Sequence, residues 1–496
     1  MTLVPLDIPA GFYRNGTDLE QSGRWRDGSL VRWRDNSLRP IGGWQERKTS
    51  FCTNVVRGMH TWEANNGTAY AAGGSYNELK AMTGAGTVYD IAPTDLATGR
   101  EDAEVETGYG YGFYGDGFYG TPIQQNANAV PEEATQWNIQ NWGEYLVAIN
   151  KDDGRLLEWQ LNPAVKAAPI ANAPTNNLGL VVTEERFMFA LGSGNNPRKI
   201  SWCDRENNTV WTPAATNEAG DIELADSGQI MQGIRTRGQT LILTDTSAHT
   251  ARYLGPPYVY GFERVGTSCG AISRKAASDV DMGVFWMGQR GFFRFDGNSV
   301  QEIPCDVFDY VFGDFNPAQQ SKVWSFANGQ YGEVWWFYCS EGSTEIDRYV
   351  AYDYKEGHWL IGNLSRTAGV QRGVFRYPFL AGHNSDSDIY EHEVGLNVDS
   401  SSIFAESGPI SIGAGDQVAR VTELIPDEKT QGDVNVTFKT RLYPNGAETS
   451  HGPFTTANPT SVRFTGRQVR MRVDGAILSD FRVGNMRIDM KAGGRR

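Results

Sequence analysis

The sequence lacks any long helix signature. No stretch of ten or more of its 496 residues carries a persuasive 3.6-residue apolar period, which excludes a helix bundle. No run of 18 apolar residues occurs, so no helical membrane span is expected. The N-terminus, MTLVPLDIPAGFYRNG, has no basic start followed by an apolar core, and no secretory leader is expected. The five cysteines, Cys52, Cys203, Cys269, Cys305 and Cys339, are odd in number, widely spaced and never in a C-x-x-C pair. That excludes a disulfide framework and a cysteine zinc site and points to folding in a reducing cytoplasm. G-x-x-x-x-G-K-[ST] and H-E-x-x-H are likewise missing.

What is present is aromatic and glycine-rich: 12% of residues are Phe, Trp or Tyr, and 57 are Gly. Between Tyr145 and Val394 short apolar runs recur, beginning YLVAIN at Tyr145, RFMFAL at Arg186, TLILTD at Thr240, GVFWMG at Gly283, EVWWFY at Glu333 and PFLAGH at Pro378. Each is too short for a helix and too apolar for a loop, and each is followed by a turn and a second such run. A hairpin cannot bury its own faces, but a ring of four-stranded sheets does so against neighbours. The recurrence interval, roughly 40 to 55 residues, is that of propeller blades. The sequence therefore predicts an all-β fold: a β-propeller of about six blades over residues 137–398.

The flanks differ. Residues 1–75 read as N-terminal hairpins and residues 399–496 as short alternating strands. Together they predict an antiparallel sheet or sandwich platform made from the chain ends. Residues 76–136 read as a loop or insertion around GYGYGFYGDGFYG. Glycine between aromatics prevents helix and permits close backbone approach. Tyr109, Tyr111, Tyr114 and Tyr119 are candidates for a subunit contact or a channel constriction; a connector lying on the protein's own surface is the alternative.

Charge is uneven. Residues 461–496 hold nine Lys or Arg against three Asp, net +6, and residues 1–47 are net +1, which leaves −21 for the remainder of a chain whose total is −14. An acidic body is a poor clamp for nucleic acid, though DNA could slide past it. Arg24, Arg26, Arg32 and Arg34 recur in steps of two, as on one strand face. Arg463, Arg470 and Arg472 suggest a basic face at the C-terminus. Both sets are candidate contacts to an acidic partner, and the alternative for the first is a solvated sheet face.

Catalytic constellations are thin. One degenerate Asp box, NKDDGRLLEW, occurs, and no pair of carboxylates is singled out for glycoside hydrolysis. HNSDSDIYEHE gathers His383, Asp386, Asp388, Glu391 and His392, which are metal-ligand types, but reads as a polar turn between strands. No catalytic residue, cofactor or metal is expected, and the chain is expected not to be an enzyme. The alternative is a receptor-binding or glycan-cleaving tail propeller, with Trp335 and Trp336 stacking on sugar.

The stretch CGAISRKAASDVDMGVFWMGQRGFFRFDGNSVQEIPCDVFDYVFGDFN, with GEVWWFYCSEGSTEIDRYVAYDYKEGHWLIG and LAGHNSDSDIYEHEVG, resembles the tail nozzle proteins of short-tailed bacteriophages, also described as packaged-DNA stabilisation proteins. LRPIGGWQER, the tract ending YGTP and the closing RQVRMRVDG and NMRIDM segments extend the resemblance over most of the chain. It implies a structural virion protein: a homohexameric ring beneath the portal and its adaptor that retains packaged DNA and guides its ejection. The implied partners are the head-to-tail adaptor, a tail fibre, spike or needle protein, and DNA passing without sequence-specific binding. The implied location is the virion tail, after assembly in the host cytoplasm.

Overall fold

The computed structural model describes residues 2–104, 132–225, 228–383, 387–398, 402–412, 417–444, 446–456, 458–475 and 479–494. Seven four-stranded antiparallel sheets form a β-propeller. Their inner strands are Met59–Glu63, Trp137–Trp142, Gly179–Val182, Ile230–Thr236, Ala277–Val280, Trp324–Asn328 and Arg366–Val370, which define blades 1 to 7. These strands neighbour one another in cyclic order, and the last lies beside the first.

The six apolar runs read from the sequence are the second strands of blades 2 to 7. A second strand has a sheet neighbour on each side and a blade above and below, so both faces are buried and alternation disappears. EVWWFY, for example, is buried at every position. The propeller thus has seven blades rather than about six. The missed one, blade 1, uses AYAAGG (Ala69–Gly74) as its second strand, equally enclosed but built of small residues. Its smallness makes room for large neighbours: a Cβ on Gly74 would lie 2.4 Å from the Trp137 ring, and one on Gly73 2.9 Å from Phe51. Residues 59–75, expected in the platform, consequently belong to the propeller.

Apolar clusters fill each inter-blade gap. Trp62, Leu79, Trp137 and Leu157 join blades 1 and 2, and Phe189, Trp202, Ile242 and Tyr260 join blades 3 and 4. The ring closes without a covalent link. Blade 7 takes its first three strands from residues 366–392 and its outer strand, Trp44–Lys48, from the chain start, pairing Ile389 with Lys48 and His392 with Trp44.

Both chain ends build a second module. One sheet orders Thr2–Pro5, Arg487–Ala492, Ala419–Ile425 and Thr460–Gly466; the other contains Trp25–Ser29, Phe404–Ser407, Gln468–Gly475, Val434–Arg441 and Thr449–Thr455. Alternating residues such as Val462 and Phe464 meet Phe438 and Met471 across the interior, with the Phe438 and Phe464 rings 4.9 Å apart. This core runs on without a break into blades 5 and 6. Phe12 N donates to Trp359 O at 2.8 Å, and Leu30 N to the Tyr349 hydroxyl at 2.9 Å, so the two modules share backbone bonds as well as side chains.

Candidate functional site

The seam between the modules holds the first arginine set. Leu30 adopts φ 56°, ending one strand (Trp25–Ser29) and starting another (Val31–Arg34). The four arginines therefore do not form one row. Arg24 pairs with Asp306 at 3.3 Å, Arg26 with Asp18 at 2.9 Å, and Arg34 approaches Glu356 at 3.9 Å. Arg32 is 3% exposed, bonded to Glu333 at 2.9 Å and Glu393 at 2.6 Å and stacked on Tyr331 at 3.7 Å. It cannot meet an adaptor or a neighbour. Burial raises Glu333 to about 7, opposed by Arg32 and reinforced by Glu393. Burial disfavours the Arg32 charge, and the two carboxylates outweigh that, raising its pKa.

The second arginine set divides between two sheets. Arg470 bonds Asp18 at 2.5 Å and Glu448 at 3.1 Å, and Arg472 bonds Asp474 at 2.8 Å and lies over Phe404 at 3.7 Å. Asp18 receives Arg26, Arg441 and Arg470 together. Burial opposes its charge, and the Arg441 hydrogen bond with these cations lowers its pKa on balance. Arg463 instead stands exposed on the other sheet. There Arg420 faces Lys491 directly across one strand pair and Thr465 across the other. Arg420, Arg463, Arg487 and Lys491 are all exposed on this sheet, where Glu423 is half-buried and pairs across the strands with the buried Asp489. Like charges placed directly opposite repel, so the patch favours an anionic neighbour. Sequence reading found Arg463 but missed the others, although the alternation in VARVTELI and RIDMK carried the signal.

One end of the propeller axis carries the stem of the insertion. Glu104 N donates to Glu132 O at 3.1 Å and Glu132 N returns the bond at 2.8 Å. Ala103 exchanges bonds with the Gln319 amide, and Ala134 N donates to Ser321 Oγ at 3.1 Å. Lys322, fully enclosed, donates to Thr344 O at 2.6 Å and pairs with Asp102 and Glu345. Arg57 donates to Glu345 Oε1 at 2.7 Å and to Glu101 O at 3.3 Å. Burial alone would raise Glu345, but Arg57 and Lys322 reverse that and pull it down to about 2. The chain thus leaves and re-enters at one clamped point. Tyr109, Tyr111, Tyr114 and Tyr119 lie outside the described residues.

Trp335 and Trp336 are core residues, 4% and 0% exposed. Their indole N–H groups donate to Glu333 and to Ala276 O, each at 2.9 Å. Neither offers a face to sugar. In the His383–Glu391 region, Asp388 accepts from Ser50 N at 2.9 Å and Glu391 approaches Arg47 at 3.6 Å. His392 accepts from Arg366 at 2.8 Å and stacks on Trp44, and burial followed by the Arg366 charge holds it neutral. Asp386 is outside the described residues. Asp353, Glu356 and His358 bring ligand-type atoms within 4.8 Å of one another, at a turn where Asp353 Oδ1 accepts from Lys355 N and Glu356 N. Burial raises every cysteine thiol, Cys269 to about 11, and all five are free. No helix among the described residues is long and apolar enough to cross a membrane.

No family model matches the chain, and no curated protein matches it. Among solved structures it is similar to virginiamycin B lyase from Staphylococcus aureus, at 8% identity and TM-score 0.42 over 70% of this chain and 98% of that one. It is also similar to PorZ, a surface component of the type-IX secretion system of Porphyromonas gingivalis, at 9% identity and TM-score 0.36 over 77% and 44% of the two chains. These likenesses concern the propeller shape. The expectation that the chain is not an enzyme is corrected: propellers carry enzymes and scaffolds alike, so the fold gives no ground for excluding catalysis, and a lyase stands among the similar structures.

Proposed function

We propose that this chain is a structural subunit of the tail nozzle of a short-tailed bacteriophage. In this reading it forms a homohexameric ring that extends the channel of the portal and adaptor, retains packaged DNA and guides its ejection. One observation carries the proposal. Among the described residues, the segments that resemble nozzle proteins lie in blades 5 to 7, the ring-closing strand and both platform sheets, and most of them contribute to the single core shared by platform and propeller. A joint of this kind makes a stiff two-module body, which a channel wall under DNA pressure needs.

The surfaces fit the same role. The exposed cations Arg420, Arg463, Arg487 and Lys491 suit an acidic surface on the adaptor or on the next subunit. The remainder of the chain outside its two ends is net −21, which suits DNA that must move without being held. Tyr109, Tyr111, Tyr114 and Tyr119, in the sequence between the clamped residues 104 and 132, would serve a subunit contact or a constriction. A fibre, spike or needle protein would attach at the distal end, and the assembly would reside in the virion tail.

Mass measurement of the purified protein with and without its adaptor tests this. A hexameric ring, alone or adaptor-induced, is the expected result. A strictly monomeric protein under both conditions overturns it.

A further inference from the structure

The hairpin that joins the third and outer strands of blade 6, Arg348–Asp353 and His358–Asn363, gathers three side chains of metal-ligand type. Asp353 and His358 stand directly opposite each other in the strand pairing, and Glu356 lies in the turn between them. One ligand atom from each of Asp353, Glu356 and His358 falls within 4.8 Å of the other two. Asp353 and His358 are 1% and 6% exposed, whereas Glu356 opens to solvent.

The two buried members point to a ligand. His358 Nε2 has no hydrogen-bond partner, although native proteins pair nearly all buried polar atoms. Asp353 commits one oxygen to its own turn, Oδ1 accepting from Lys355 N and Glu356 N at 2.8 Å each, and no Lys or Arg among the described residues pairs with this carboxylate. Buried carboxylates are otherwise paired with a cation or bound to a metal. Arg34 approaches Glu356 at 3.9 Å, a loose pair. That Nε2 is closed to water does not bar an ion, because a metal–nitrogen bond of about 2 Å is shorter than a water contact, and the exposed Glu356 is the side from which an ion enters.

We propose that Asp353, Glu356 and His358 bind a divalent transition ion of the zinc class, with water completing its shell. An imidazole in the set favours such an ion over magnesium or calcium, which take oxygen ligands, and the two carboxylates balance its charge. Bonds of about 2.0–2.1 Å put adjacent ligands around tetrahedral zinc about 3.4 Å apart, so the ion draws the set inward. Glu356, held by a long bond from Asp35 N at 3.3 Å and by Arg34, is the ligand that moves. His358 is packed against the N-terminal segment: a Cβ on Gly11 would lie 2.5 Å from its Cβ, and the Trp33 ring meets it edge-on at 6.0 Å. The ion would therefore fasten the blade 6 hairpin where that segment crosses it. The site lies within one chain, needs no ring and does not depend on the nozzle reading.

Equilibrium dialysis of the full chain, first stripped with EDTA, against zinc, magnesium or calcium chloride, followed by metal analysis and thermal unfolding, tests the site on wild type, His358→Gln, Glu356→Gln and Arg34→Ala. Wild type should hold a single saturable zinc per chain, with a rise in its unfolding midpoint, and should not take up magnesium or calcium. His358→Gln should abolish the binding. Glu356→Gln, at an exposed position, should weaken it by about a hundredfold or more, since even outer-shell losses cost about 10- to 100-fold. Arg34→Ala removes a repelling charge and frees Glu356, and should tighten it by about two- to fivefold. If His358→Gln does not fold, the opposite shifts of Glu356→Gln and Arg34→Ala decide, and shifts that are equal or absent overturn the site. Zinc that does not saturate, or whose affinity is unchanged in Glu356→Gln, is adventitious binding at exposed histidines such as His383 and likewise overturns it. Calcium or magnesium bound as tightly as zinc overturns the assignment to a zinc-class ion.

Discussion

Trp137 lies flat against Gly74, its indole N–H donating to the neighbouring Ser75 carbonyl at 2.6 Å. This contact locks blade 2 to blade 1 and depends on the missing side chain. A Cβ at position 74 would sit 2.4 Å from Trp137 Cδ1 and Nε1, and the fully buried ring has no free space to retreat into. Gly74→Ala is therefore expected to destabilise by about 1–3 kcal/mol through overpacking. Denaturant unfolding monitored by Trp fluorescence measures it, and an unchanged midpoint would contradict this packing.

Arg32 is expected to be far more sensitive than its neighbours Arg24 and Arg34. Arg32→Ala leaves Glu333 and Glu393 buried without their cation, a loss of about 3–5 kcal/mol. Arg34→Ala, at a half-exposed side chain, should cost no more than about 1 kcal/mol. Comparing the two variants by chemical denaturation separates a structural arginine from a surface one, and equal effects would refute the distinction.

Acid should loosen the axis before the rest of the molecule. Glu345 is depressed in the folded protein to about 2 from 4.5. Its contribution is complete above the unfolded value and drains away as pH falls from about 4.5 toward 2. The full effect is on the order of 3 kcal/mol. Glu345→Gln should lower stability at pH 7 and flatten the acid limb of the midpoint-against-pH curve. An acid limb parallel to wild type would show that Glu345 is not its source.

Glu333 runs the opposite way. Its folded pKa is raised from 4.5 to about 7, so the stability it allows is complete below about 4.5 and declines as pH rises through 7. Glu333→Gln should show a smaller drop between pH 5 and pH 8 than wild type. A drop of the same size would count against this assignment.

Trp44 anchors the strand that closes the ring and stacks on His392 at 5.3 Å. Trp44→Ala removes a buried indole, with an expected cost of about 3–5 kcal/mol. Hydrogen exchange should speed up first in Ile389–His392 and then in blades 7 and 1. Uniform change across all blades would mean that closure is not local.

The architecture was legible wherever burial left a chemical mark. Second strands such as Glu333–Tyr338 are enclosed on both faces and filled with aromatics, and these stand out in one dimension. Ala69–Gly74 is just as enclosed but accommodates Trp137 and Phe51 by being small, and smallness looks like a loop. The arginines illustrate a second limit. Spacing in twos put Arg32 on an exposed row, but the left-handed turn at Leu30 redirected the strand and sent it inward. Nor could spacing bring Arg420 beside Lys491, about 70 residues later, because that pairing exists only in the sheet.

Closure by Trp44–Lys48 also has a consequence in time. That strand is made early but pairs with Ile389–His392, about 340 residues further on. At roughly 5–20 residues per second of synthesis, it waits on the ribosome for on the order of 17–70 s with an unpaired edge. Such an edge invites pairing with other nascent chains. Its sequence, WQERK, with Gln45, Glu46 and Arg47 pointing into solvent even in the finished ring, is suited to that wait: the strand stays soluble and unattached until the last blade arrives to take it.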